Sequence, residues 1–398
     1  MLVELHMIQN HNPANLNRDD LGAPKTCLFG GVIRARISSQ CLKRTIRRGA
    51  DFQKALERDG GIRTRRLITE LAERASGSSP APDEAVKLVA DAFDKGGVKR
   101  TGKGEEPDNT EVLLFIPRST LDKMVNAVRE AWRGKVKSAV LCEELATLLG
   151  EKVSVPDMAL SGRMTELESK GLFRKIDFHV EAALSAAHAI STHAVINEVD
   201  YFTAADDLAK GSGAAHVNEA MFNSACFYKH FSIDWDKLVS NLGDDSDLAS
   251  LTIRHFIQAA ARETPTGKQH AFAAFNPPEG ILVEIKAKRA VPISHANAFA
   301  DPVPANAPRG LIGESIARLG QHVHDIAEGY GIEADRFWFS PAARHDLTYI
   351  DRTAKKEPDK VKPVIPGENC FPTLDQLVDR VIKVVEQHTK NKSRGIRS

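Results

Sequence analysis

A few residues in this chain have the types that catalysis uses, and their spacing can be tested against each chemistry. "TGK" at 266–268 ends like a phosphate-binding loop, but G-x-x-x-x-G-K needs glycine at 262, where Arg262 stands. "GESIA" at 313–317 lacks the last glycine of a G-x-S-x-G nucleophile elbow and lies in helical sequence. His179, His188 and His193, with Asp177, suggest a metal site. In a helix, His188 and His193 are not the i, i+4 pair of a zincin; in a strand they face opposite sides. They read as core or surface histidines. No catalytic set, metal or cofactor is expected.

A second kind of chemistry is stronger. "NLNRDDLGAPKTCLFGGVIRARISSQCLKRTIRR", Asn15 to Arg48, holds eight basic residues: Arg18, Lys25, Arg34, Arg36, Lys43, Arg44, Arg47 and Arg48. Its acids are Asp19 and Asp20 alone. The whole chain balances 54 Lys+Arg against 53 Asp+Glu, so affinity for a polyanion must come from a local patch. These basics span a Gly-Gly loop, a strand and a helix, and Ser38, Ser39 and Gln40 add short donors suited to phosphate oxygens. A solvated cationic face is the competing reading.

The elements that must position this patch are legible in outline. "LVELHMI" predicts a first strand, "GVIRARIS" a second, and Ser38 or Ser39 caps a helix through about Leu56. On its wheel Leu42, Ile46, Ala50 and Thr45 share one arc, opposite Lys43, Arg44, Arg47 and Arg48. From about Arg63 to Leu149 four helical segments follow, interrupted by "SGSSPAP" and "GGVKRTGKGEEPDN". "IDFHVEAALSAAHAISTHAV" fits helix or strand. A polar, Gly-rich arm with Tyr201 and Phe202 then reads as an extended hairpin, whose aromatics suit base stacking or a protein contact. Further on come helix 246–262, strand "ILVEIK", helix 310–329, a Pro/Lys-rich loop near 352–368, helix 373–388 and a basic, disordered tail. Five scattered cysteines without C-x-x-C spacing read as reduced thiols. The N-terminus has no signal-peptide pattern and no apolar run approaches a membrane span, so a soluble, cytoplasmic protein is expected.

"LNRDD", "FGGVIRARISSQCLKRTIR", "ALSGRM", "AHAISTHAV", "YFTAADDL", "KQHAFAAFNP" and "ANAF" occur in an order that resembles the type I-E CRISPR Cascade backbone subunit, the CasC family. The resemblance covers almost the whole chain. It implies an α+β protein with a modified RRM, or ferredoxin-like, palm in three parts (1–56, 176–195 and 223–390). A helical fingers insertion (57–175), a β-hairpin thumb (196–222) and a basic tail (391–398) complete it. Copies would stack along the CRISPR RNA, each thumb displacing one base so that guide segments pair with target DNA.

By that resemblance Arg18, Lys25, Arg36, Ser38, Gln40, Lys43 and Arg47 would line the guide-RNA groove. Met164 and Phe202 would flank the displaced base. Lys268 and Gln269 would also touch RNA, while Asn297 and Phe299 belong to a later shared motif. Arg129, Arg133, Lys135 and Lys137 would contact duplex DNA, although the fingers match only coarsely. Val32-Ile33 departs from the family, which often carries another basic residue there. Implied partners are CRISPR RNA, target DNA, further copies of the chain, and the large, small, RNA-end-capping and RNA-processing Cascade subunits. An effector nuclease-helicase joins indirectly. Related type III subunits cut RNA with a thumb aspartate, which makes Asp200, Asp206 and Asp207 the residues of an alternative, metal-dependent ribonuclease. A scaffold without RNA dependence is the other alternative, and the basic stretch argues against it.

Overall fold

Val3, Leu5 and Met7 alternate along the first strand and are fully buried, as a sheet facing a core requires. The residues between them, Glu4 and His6, are equally buried. Both faces of this strand are therefore covered. The computed structural model describes every residue except 103–105, 152–154, 164–170, 177–178, 206–213, 289, 352–359, 394 and 396–398.

Along the chain, β1 (Leu2–Ala14), β2 (Thr26–Phe29) and β3 (Val32–Ile37) precede α1 (Ser39–Arg48) and α2 (Ala50–Ala55). Next come β4 (Gly61–Thr64), α3 (Leu67–Ser76), α4 (Asp83–Gly96), β5 (Leu114–Pro117), α5 (Arg118–Arg133), α6 (Ser138–Gly150) and α7 (Pro156–Ser161). β6 (Leu184–Ala186), β7 (Ala189–Ser191), β8 (Glu198–Ala205) and β9 (Ala214–Asp234) lead into α8 (Trp235–Asn241), α9 (Ser246–Arg262), α10 (Gln269–Phe272) and β10 (Gly280–Lys286). α11 (Gly310–Tyr330), β11 (Asp335–Phe339), β12 (Thr348–Asp351), β13 (Lys360–Pro363), β14 (Cys370–Phe371) and α12 (Leu374–Ser393) end the order. They form two units. One comprises 1–53, 184–235 and 250–398; the other comprises 54–183 and 236–249.

The first unit is built on a sheet in the order β14-β11-β10-β1-β9-β7-β3-β2, with β6 and β8 also on β9. Taken in sequence, β1, α1, β6/β7, β9, α9 and β10 make a β-α-β-β-α-β unit with β1 between β9 and β10, both antiparallel to it. β9 is long enough to serve two purposes. Its first part pairs with β8 from Glu198↔Phe222 onward, and its second pairs with β1 from Leu2↔Asp234 to His11↔Ala225. The hairpin arm is thus a direct extension of a core strand.

On one face of the sheet α11 packs Ile316, Leu319 and Val323 against Ile8, Leu282, Tyr228 and Trp338. On the other, Phe256 of α9 meets Phe231 edge-on at 5.4 Å, and Arg380 of α12 lies over the Phe337 ring. Covering both faces traps the polar alternates of β1. Glu4 bonds Lys286, His230 Nε2 (3.1 Å) and the Ile293 amide (3.1 Å). Arg336 Nε donates to Glu284 at 2.8 Å, with His6 and His295 Nε2 each 3.3 Å from its other oxygen. Burial alone would raise the Glu284 carboxyl, but these histidines and Lys286 hold it well below its usual range. Burial pushes His6 down to about 3, so it is neutral.

Three local expectations change. The helix expected through Leu56 breaks at Gly49, which has extended backbone angles. A Cβ there would stand 2.4 Å from the Glu263 side chain, whose carboxylate caps the Ala50 amide at 2.9 Å. Ala50, assigned to the core arc, is consequently exposed. The ambiguous 176–195 stretch gives the short strands β6 and β7, because β9 offers them a ladder that outweighs alanine's helix propensity. The last helix runs on to Ser393, so the tail is helical that far.

In the second unit, α3 to α6 pack Leu71, Val89, Phe93, Met124, Val128 and Leu145 into one core. Phe93 and Phe173 meet edge-on at 5.8 Å. Among the described residues, no helix is long and apolar enough to cross a membrane.

Candidate nucleic-acid interface

A narrow cleft in the first unit is lined by Lys25, Arg36, Asn17, Asn223, His11 and Phe227, among others. The loop between β1 and β2 delivers Asn17 and Lys25, with the Lys25 amide bonded to the Asn17 carbonyl at 2.8 Å. Asp19 turns that loop by accepting from the Leu21 and Ala23 amides at 3.0 and 2.9 Å. One acid of the "RDD" motif therefore shapes the loop that carries Arg18, which is exposed.

Helix α1 begins beside the cleft. Ser38 is its N-cap, with Oγ accepting from the Cys41 amide at 3.3 Å, and the Ser38 amide donates to Asn17 Oδ1 at 2.9 Å. Leu42 and Ile46 are buried, which turns Lys43, Arg44, Arg47 and Arg48 outward, half-buried or exposed. Gln40 is exposed next to them. No acid sits in the first turn, so no carboxylate repels or displaces an anion there. Arg36, half-buried, donates from Nε to the Thr26 carbonyl (3.2 Å) and from Nη1 to His188 Nδ1 (3.3 Å).

Arg34 is not part of this surface. It is fully buried, and its guanidinium donates to the carbonyls of Phe29 (3.1 Å), Ser191 (3.1 Å), Phe299 (2.7 Å) and Ala300 (3.2 Å). One of the eight basics in the stretch is thus a core fastening. The "ANAF" motif supplies one of these four acceptors, the Phe299 carbonyl, which gives Phe299 a structural role.

Lys268 adopts a left-handed conformation, φ 47°, immediately before α10. Gln269 is buried and donates to the Pro265 (2.9 Å) and Ala274 (3.3 Å) carbonyls while accepting from the Ala274 amide at 2.7 Å. Both N–H groups of its amide are engaged within its own loop, which ties Pro265 to Ala274 and leaves this side chain no free donor for the expected RNA contact.

Tyr201 and Phe202 are 71% and 48% exposed on β8, one on each face of the ribbon. Met164, the other expected flank of a displaced base, lies outside the described residues, as do Asp206 and Asp207.

In the second unit Arg129 donates to the Arg74 carbonyl (3.1 Å) and to Asn126 Oδ1 (2.8 Å), capping the end of α3. That side chain is committed to the fold and is a poor DNA contact. Arg133, Lys135 and Lys137 are exposed, the first two beside Trp132 in an open hollow.

Sequence reasoning missed His11, Asn17 and Asn223, and set His188 aside. His11 sits where β1 alternation places a buried side chain, and burial pushes it down to about 3. Among the described residues, two sets could share a metal ion: Glu4, His6 and His230, and His6, Glu284 and His295. Both belong to the buried network, where the Lys286 ammonium bonds Glu4 and stands 3.8 Å from Glu284. The positive charge these carboxylates need is already built in.

A family model for CT1975-like proteins matches residues 3–365. The chain belongs to this family. A chain of a solved structure described as "CRISPR RNA-guided surveillance complex, pre-nicking" superposes with TM-score 0.80 at 26% identity, over 97% of this chain and 100% of that one. A chain of a "CRISPR RNA-guided surveillance complex" superposes with TM-score 0.69 at 21% identity, over 96% and 100%, and shares the fold. None of the curated proteins matches. The central sheet with its helices and the likeness to the first of these structures fit an RRM-like palm.

Proposed function

We propose that this protein is a guide-RNA-binding backbone subunit of a Cascade-type CRISPR surveillance complex, of the type I-E kind, acting in the cytoplasm. The observation that carries this reading is the cleft whose lining holds Lys25 and Arg36 and no acid, with α1 starting beside it, its outward face cationic and its first turn free of acids. Such a surface grips phosphates and leaves the bases to pair, which is the division of labour in guide-directed recognition. Membership of the CT1975-like family and the likeness to a surveillance-complex chain support it. Copies would assemble along the RNA, each hairpin arm displacing one base, with target DNA and the other Cascade subunits as partners. The protein carries no nuclease activity of its own in this reading.

The test is direct. Co-expressed with its operon, the purified chain should carry RNA of discrete length that resists added ribonuclease. Nucleic-acid-free protein, or a smear of cellular RNA, would overturn the assignment.

A further inference from the structure

His188 Nδ1 stands 3.3 Å from the Ser39 amide nitrogen and 3.3 Å from Arg36 Nη1. Both partners can only donate. Nδ1 must therefore accept, which fixes the ring as the neutral tautomer with its proton on Nε2. The arrangement follows from topology: His188 lies in the two-residue break between β6 and β7, and β7 pairs with β3 at Arg36↔Ile190. That register carries the ring to the start of α1, where it satisfies one of the helix's orphan amides while Ser38 satisfies another. His188 is itself exposed. Its N–H edge is thus held by two bonds on the opposite side of the ring, next to Arg36, whose Nε and Nη1 are taken and whose Nη2 remains for a ligand.

We propose that His188 is a guide-RNA contact, donating from Nε2 to a phosphate oxygen beside Arg36 and Lys25. This rests on the RNA-binding reading above and adds a residue to it. The contact is neutral: it orients the phosphate by hydrogen bonding and contributes no charge. It therefore differs from Lys43 and Arg47 in a measurable way, because only charged contacts release counterions.

Two variants separate the ring's edges. His188→Asn puts an acceptor near the Nδ1 position and keeps the helix cap but removes the outer donor. His188→Gln puts an amide N–H near the Nε2 position and gives up the cap. Binding of a guide-length RNA should weaken about tenfold or more in the Asn variant, with a parallel salt dependence and an unchanged melting temperature. The Gln variant should stay within about threefold of wild type. Nitrogen chemical shifts of His188 should report a proton on Nε2 in the RNA-free protein. Wild-type affinity in the Asn variant, or a loss confined to the Gln variant, would overturn the proposal and leave His188 as a helix cap alone. A wild-type protein that binds no RNA would instead overturn the RNA-binding reading, and this contact with it.

Discussion

Arg34 Nη2 donates to the Phe299 carbonyl at 2.7 Å, across 265 positions of chain. With bonds to Phe29, Ser191 and Ala300, the guanidinium ties the β2–β3 turn to β7 and to the segment before α11. The approach is close enough that a Cβ on Gly30 would stand 1.7 Å from the Ala300 carbonyl oxygen. Only glycine fits there, and its φ of 59° is one that glycine adopts without strain.

Arg34→Ala should therefore destabilise the protein by roughly 2–4 kcal/mol, because several buried carbonyls lose their donor together. Arg34→Lys should recover only part of this, since one ammonium cannot reproduce the planar fork. Chemical denaturation of the three proteins measures it. A change within about 0.5 kcal/mol for the alanine variant would show that the carbonyls find other partners.

Lys43→Ala with Arg47→Ala should weaken RNA binding similarly for every guide sequence. The slope of log affinity against log salt should fall by about 0.7 per lost contact. Titrations at four or five salt concentrations decide the matter, and an unchanged slope in a folded variant would return these residues to the solvated-face reading.

Tyr201 and Phe202 point to opposite faces of the β8–β9 ribbon, so one displaced base can stack against only one of them. Phe202→Ala should erase the periodic chemical reactivity of the assembled RNA and preserve most affinity, whereas Tyr201→Ala should leave the periodicity in place. Stacking contacts of this kind are worth roughly 1–3 kcal/mol per base. The reverse outcome would assign the wedge to Tyr201.

Acid should destabilise the fold in two stages. His6 and His11 are held down to about 3 by burial, so below pH 6.5 the unfolded chain takes up protons that the folded chain refuses. Stability should fall from there at up to ~1.4 kcal/mol per pH unit for each group. Glu4 and Glu284 are lowered from 4.5, so their contribution persists above that pH and is lost as pH drops through their folded values. Denaturation midpoints at pH 7.5 and 5.0 should differ accordingly. Equal midpoints would mean that these histidines titrate normally.

With guide bound, complementary RNA and DNA should survive incubation in Mg²⁺ or Mn²⁺. Asp200 is exposed on β8 and belongs to no cluster of three metal-ligating side chains among the described residues. Cleavage abolished by Asp206→Ala or Asp207→Ala would make the ribonuclease alternative correct.

The sequence by itself determined the features that depend on local pattern. The four helices between Arg63 and Leu149 are legible because their apolar residues recur at helical spacing, and α1 because Ser38 caps it and Leu42 and Ile46 set its inner face. The cationic outer face followed from the same wheel. Only the tertiary structure decided what a residue's surroundings would be. Arg34 and Arg36 look alike in "VIRARIS" and, two residues apart, share one face of β3. The carbonyls of Phe29, Ser191, Phe299 and Ala300 close over the first, while the second lies beside Thr26 and His188 at the cleft. Glu4 and His6 alternate with Val3, Leu5 and Met7, and cover on both faces of the sheet makes their side interior as well. His188 had no helical or metal spacing to recommend it, and a strand register carried it to the α1 N-terminus. Gly49 broke a helix that its neighbours favour, because Glu263 from a distant helix end occupies the space beside it. Pattern specifies which face of an element is apolar, while the partner that covers the face is set by long-range pairing, and that partner fixes each polar side chain's role.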